Sequence, residues 1–280
     1  MKTRIISGAV MVALLVALLG VSTKYIAVMY VAAGLLSAVA VYEALYATGI
    51  VKNKIITAVG CVYSVFYVCK ILLTYVDEAI AVKIMASAAP IAVVFALIQF
   101  ALYLKFHKDI NLEGMLGMIV LPILISFGFE SLSKLVLANQ KLLYIVLMFC
   151  WAAVADTGAY FTGVAIGKHK MAPVISPKKS WEGLIGGILS SLLVTFIVCL
   201  IYSNCFDVKV NTLAVLLVTP VFVLIGVMGD LTASLIKRKC GIKDFGKIIP
   251  GHGGILDRFD SMLMISAALI SLLEVVSLIN

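Results

Sequence analysis

Residues 141–166 read KLLYIVLMFCWAAVADTGAYFTGVAI, and this stretch decides what kind of fold the chain can have. It exceeds the roughly 20 mostly apolar residues that a helix needs to cross a bilayer, and its only charges are Lys141 and Asp156. Similar runs lie at 5–21, 25–47, 54–75, 80–104 and 112–128 on one side of it, and at 183–203, 211–236 and 260–279 on the other. They predict an all-α integral membrane protein, a polytopic bundle of about nine transmembrane helices. Composition agrees, since 63% of residues are hydrophobic and 13% charged, against roughly 25% charged in soluble domains.

The run 5–21 follows Lys2 and Arg4 as a secretory leader would, but no small-x-small cleavage site stands near Gly20 to Lys24, so it is expected to stay as the first helix. The six cysteines form no C-x-x-C pair and read as small core residues, which argues against a disulfide frame or a zinc site. A net charge of +8 would suggest nucleic acid in a soluble protein. With nine helices and a cytoplasmic amino terminus, however, sixteen of the 22 Lys and Arg residues fall on the cytoplasmic side, which is the positive-inside bias. No nucleic-acid partner is expected.

That orientation places both long polar loops, 167–182 and 237–259, in the cytoplasm, where nucleotides and magnesium are available. No repeat or low-complexity tract divides the chain. Residues 1–140 read as amino-terminal scaffold helices with few charges inside their spans, and 141–280 as the carboxy-terminal catalytic region.

Asp156 falls about ten residues from the cytoplasmic end of its run, on the order of 15 Å deep, where an ionised carboxylate costs about 2.5–3.5 kcal/mol. It therefore requires a partner and a polar cavity. Gly158 and Gly163 beside it allow close helix approach. The loop that follows brings Lys168, Lys170, Lys178 and Lys179 together with the hydroxyls of Ser176 and Ser180, a composition suited to phosphate. A helix beginning near Trp181, capped by Ser180, would aim N–H groups at an anion. The plainer reading of these lysines is that they set topology or hold anionic lipid. Gly163-x-x-x-Gly167-Lys168-His169 is no P-loop, because its spacing is short by one residue and no Ser or Thr follows the lysine.

Acids and bases alternate over 229–260. Asp257 and Asp260 are three residues apart and share one helix face, so their like charges call for a cation between them. Magnesium is the expected ion, held by one or two carboxylates, waters and substrate phosphate. Asp230 would complete a one- or two-metal clamp, with Asp156 as a further ligand or cavity partner. Lys237, Arg238, Lys243 and Arg258 would stabilise charge on the transferring phosphates. His252, between glycines, suits a general acid, a phosphate ligand or a structural loop residue equally.

The pattern Ser234-x-x-Lys237-Arg238-x4-Lys243-Asp244-Phe245-x-x-Ile248-x-Pro250-Gly251-His252-Gly253-Gly254-x-x-Asp257-Arg258-x-Asp260 closely resembles that of phosphatidate cytidylyltransferases. Asp156-Thr-Gly-Ala-Tyr-Phe and Ser176-Pro-Lys-Lys-Ser-Trp-Glu-Gly resemble the same family, so the likeness covers 150–280. It implies condensation of CTP with phosphatidic acid to CDP-diacylglycerol and pyrophosphate, dependent on Mg2+ (one or two ions, the second not necessarily divalent), by a homodimer in the inner membrane of the cell. The implied catalytic group is Asp230, Asp257, Lys237, Arg238, Arg258 and His252. Substrate contacts fall to Lys168, Ser176, Lys178, Lys179, Ser180, Ser234, Lys243, Asp244, Gly253 and Gly254. The residues alone also admit a CTP-dependent lipid or polyprenol kinase, and an ion-coupled transporter less readily, since only Asp156 sits deep.

Overall fold

A computed structural model describes residues 24–75, 88–206 and 208–279, with isolated positions between 10 and 21. Its helices are α1 (Ile26–Tyr42), α2 (Lys54–Cys69), α3 (Ala88–Phe106), α4 (Leu112–Leu137), α5 (Lys141–Phe149), α6 (Ala155–Ile166), α7 (Trp181–Phe206), α8 (Thr212–Lys239) and α9 (Leu256–Leu273). Among the described residues, seven helical segments are long and apolar enough to span a membrane: Ile26–Ala47, Lys54–Leu73, Ala88–Phe106, Leu112–Leu137, Lys141–Ile166, Trp181–Phe206 and Thr212–Lys239.

Seven of the nine expected runs are therefore helices of spanning length. Most of the run 5–21, together with Lys2 and Arg4, lies outside the described residues. The last run becomes α9, which starts four residues earlier than expected and carries Asp257, Arg258 and Asp260 in its opening turns. Those charges set it apart from the seven. The polar loop 167–182 is not irregular: Lys170–Ala172 (β1) and Ser176–Ser180 (β2) pair as an antiparallel hairpin, a small sheet that an all-α expectation omits.

The chain forms two compact units. The first comprises residues up to Ser133 together with Lys239–Phe259. Here α1 and α2 pack closely: a Cβ on Gly34 would lie 2.9 Å from Cys69 Sγ, and the hydroxyls of Ser37 and Ser64 are 2.5 Å apart. Tyr63, Tyr67 and Phe95 form an aromatic core between α2 and α3. This unit buries more charge than the sequence reading allowed. Lys70 Nζ meets Glu130 Oε1 at 2.8 Å with both side chains under 5% exposed, and Glu43 is 1% exposed. Lys70 also lies 3.5 Å from the Tyr67 ring centroid, so its ammonium is both paired and covered by a π face.

The second unit comprises Lys134–Arg238 and Asp260–Asn280. α5 runs through a π-helical turn, Cys150–Val154, into α6. A π turn displaces backbone carbonyls from their usual donors, and Ser191 Oγ of α7 donates to Cys150 O at 2.9 Å. Glycines hold α6 and α7 together. A Cβ on Gly183 would approach Ala159 O at 2.8 Å, one on Gly187 would approach Ala155 O at 2.7 Å, and one on Gly158 would collide with Ser190. Without hydrophobic driving force in lipid, such close backbone approach is what binds spanning helices. The result fixes Asp156 beside the hairpin.

Candidate active site

In the second unit, a cavity of about 220 Å³ is lined by Asp156, Tyr160, Met171, Ser176, Lys178, Lys179, Ser180 and Asp230, with small and apolar residues between them. Asp156 comes from the first turn of α6, the serines and lysines from β2, and Asp230 from α8. Along β2, Pro177 and Lys178 are exposed, whereas Lys179 is partly covered and Ser180 buried. Lys179 Nζ reaches Asp230 Oδ2 at 2.6 Å, and Asp156 lies within electrostatic reach of both. That contact lacks hydrogen-bond geometry, so among the described residues the buried ammonium nitrogen has no hydrogen-bond acceptor in line. An ammonium paired with one carboxylate and near a second, on the wall of a polar cavity, is a group suited to an anion and its counter-ion.

Ser180 is buried and caps α7 as expected, accepting from Gly183 N at 3.2 Å. The helix start offers an anion less than its sequence suggested, because Trp181 N already donates to His169 O at 3.0 Å. Phosphate handling thus falls mainly to side chains. Lys168, between α6 and β1, is exposed and does not line the cavity. Ser234, Lys237 and Arg238 follow Asp230 along the last turns of α8. Asp260 belongs to this unit too, and α8 approaches its backbone closely: a Cβ on Gly229 would stand 2.8 Å from Asp260 O. Asp260 Oδ1 accepts from Ser261 N at 2.7 Å.

The remaining predicted residues, Lys243, Asp244, His252, Gly253, Gly254, Asp257 and Arg258, sit in the first unit. His252 N donates to Ile249 O at 2.9 Å, closing a turn in which Pro250 precedes Gly251 with φ of +77°. Pro then Gly with positive φ is the signature of a type II turn. Gly253 also has a positive φ, +88°, and packs against Asp244 and Asp257. Asp257 is buried, and its Oδ2 accepts from Phe245 N at 2.7 Å and Gly254 N at 3.0 Å. The residue expected to bind metal thus commits one oxygen to backbone amides.

Among the described residues no group of three or more His, Cys, Asp and Glu side chains stands ready to hold a metal ion. The cavity nevertheless fits a magnesium ion on donor chemistry, since Asp156 and Asp230 offer hard oxygens and a phosphate and waters would complete the shell. Sequence reasoning missed Glu43, which accepts from Ile255 N at 3.1 Å and Leu256 N at 2.9 Å. The signal was present: a carboxylate within an apolar run, the same rule that picked out Asp156.

Helices of spanning length, with a polar, lysine-bearing cavity in the second unit, define a polytopic membrane protein. Residues 2–276 match the Cytidylyltransferase family model, and the chain belongs to that family. It is 47% identical over 121 residues to a phosphatidate cytidylyltransferase of Haemophilus influenzae, covering 43% of this chain and 41% of that protein. Proteins of the same name from Staphylococcus epidermidis and Staphylococcus aureus are 48% and 46% identical over 127 residues, 45% of this chain and 47% of theirs. These alignments span less than half the length of the relatives.

Proposed function

We propose that the protein is a phosphatidate cytidylyltransferase. The observation that carries this reading is the cavity in which Lys179, half-buried and ion-paired with Asp230, lies near Asp156 beside Ser176 and Ser180. An oxygen of the lipid phosphate attacks the α-phosphorus of CTP. The new P–O bond forms as the α–β bridge breaks, and pyrophosphate leaves with the bridging electrons. The nucleophile is already an anion, so no strong base is needed, and the barrier lies in bringing two anions into line.

Lys178 and Lys179 neutralise phosphate charge, while Ser176 and Ser180 donate to non-bridging oxygens. Lys237 and Arg238 receive charge on the departing pyrophosphate. Asp156, Asp230 and Asp260 would hold magnesium, which when bound supplies charge neutralisation and a template for phosphate oxygens. Lys168, exposed between α6 and β1, attracts phosphate, and Ser234 offers a hydroxyl one turn beyond Asp230. Lys243, Asp244, His252, Gly253, Gly254 and Arg258, with Asp257, are assigned to the same reaction on the sequence pattern that they share with phosphatidate cytidylyltransferases. The reading further takes the protein as a homodimer of the inner membrane whose hairpin and 243–256 loop face the cytoplasm. The uneven distribution of lysine and arginine supports that orientation.

The test is incorporation of cytidine-labelled CTP into chloroform-soluble lipid by the purified protein, with and without EDTA. Label should enter lipid only with phosphatidic acid and divalent cation present, with release of pyrophosphate. Release of free CDP with phosphorylated lipid would identify a kinase and overturn the proposal.

A further inference from the structure

We infer that Glu43 is a positioning residue for the proposed reaction, a buried carboxylate that clasps the loop 244–257 and fixes the start of α9; this rests on the function proposed above. Glu43 opens a π-helical turn, Glu43–Ala47, which continues α1. Such turns are single-residue insertions that re-aim side chains and recur at functional positions. Both carboxylate oxygens are engaged, Oε1 by Ile255 N and Oε2 by Leu256 N. These are N–H groups at the start of α9, which lack partners within the helix.

The loop is shaped around this side chain. A Cβ on Gly254 would lie 2.5 Å from Glu43 Oε2, and one on Gly246 would lie 2.9 Å from its Cδ. Gly254 has no positive φ, so space for the carboxylate, not backbone conformation, is what requires glycine there. Asp257 completes the arrangement from within the loop by accepting from Phe245 and Gly254. Two adjacent carboxylates thus organise four consecutive or facing amides, and neither of the Glu43 oxygens is turned toward solvent. A side chain whose hydrogen bonds go to backbone amides acts through geometry.

The experiment compares Glu43→Gln, Glu43→Ala, Gly254→Ala and the double variant Glu43→Ala/Gly254→Ala in the full-length protein. Glutamine keeps the shape but can accept with only one terminal atom. Turnover should fall about tenfold for Glu43→Gln and about a hundredfold for Glu43→Ala, with KM for CTP within about threefold of wild type, because misplacement by about 1 Å costs rate of this order. Hydrogen exchange in peptides covering 253–257 should accelerate in both, while exchange in the hairpin 170–180 stays as in wild type. Gly254→Ala should lower thermal stability in the wild-type background and lower it less when residue 43 is alanine, because the clashing carboxylate is gone.

Wild-type turnover and unaltered exchange in Glu43→Gln would overturn the inference. So would equal damage by Gly254→Ala in both backgrounds. If the wild-type protein makes no CDP-diacylglycerol, the proposed function fails instead, while exchange and the Gly254 coupling still decide whether Glu43 clasps the loop.

Discussion

Lys179 and Asp230 form a half-buried ion pair at 2.6 Å, with side chains 20% and 29% exposed, and each exists in this setting because of the other. Removing one partner leaves an uncompensated charge, which costs more than the intact pair contributes. Asp230→Asn should reduce cytidine transfer on the order of a hundredfold or more, as loss of charge stabilisation at a reacting phosphate does; a rate within threefold of wild type, in protein that still purifies as a monodisperse species, would remove Asp230 from the site. For Asp257→Asn the expectation differs in kind. The amide keeps one acceptor for Phe245 and Gly254 but loses the charge assistance, worth about 1.5–3 kcal/mol for such bonds. Turnover should drop, excess magnesium should not restore it, and the loop 243–256 should become more susceptible to limited proteolysis. At this scale the sequence revealed the charged groups but not their partners. Asp156 stood out because a carboxylate within lipid must be compensated, and Glu43 deserved the same reading. The amides that Glu43 meets lie more than 200 positions downstream, and no local pattern encodes that.

The α6–α7 pair owes its closeness to the absence of side chains at Gly158, Gly183, Gly186 and Gly187. Gly187→Leu would drive carbon into the backbone at Ala155 O, where even a Cβ stands at 2.7 Å, and overpacking of this sort costs about 1–3 kcal/mol. A lowered unfolding midpoint in detergent should accompany reduced activity, since the same contact carries Asp156. Unchanged stability would mean that the helices separate without loss. The helices themselves were legible from apolar runs, yet the ends moved: 112–128 lengthened to Leu112–Leu137, and 183–203 to Trp181–Phe206. Polar residues such as Glu130 and Glu182 argued for stopping, whereas backbone hydrogen bonding in a low-dielectric setting favours continuing the helix. The hairpin was hidden for the opposite reason. Lys170–Ala172 and Ser176–Ser180 show no apolar alternation, and backbone pairing on a short turn holds them.

Taken whole, the molecule is rich in helices of spanning length, and the orientation proposed for them from the charge distribution is measurable. α7 extends from Trp181 to Phe206, roughly 39 Å at the helical rise, so the tip of the hairpin at Val174 and the exposed Cys205 should lie on opposite sides of the membrane. With Cys205 as the sole cysteine, an impermeant maleimide should label intact cells. With a sole cysteine introduced by Val174→Cys, labelling should require permeabilisation. The reverse pattern would invert the topology. Membrane class was readable from composition because lipid tolerates so few charges. The grouping of the 239–259 segment with the amino-terminal helices was not, since contacts spanning most of the chain leave no periodic trace. That grouping bears on biosynthesis. The amides that satisfy Glu43 lie 212 and 213 positions downstream, so at 5–20 residues per second the ribosome delivers them about 10–40 s after the carboxylate itself. Throughout that interval α1 carries an acid without its eventual donors, and a nascent chain arrested before residue 255 should show slower or incomplete insertion of its early helices than one released in full.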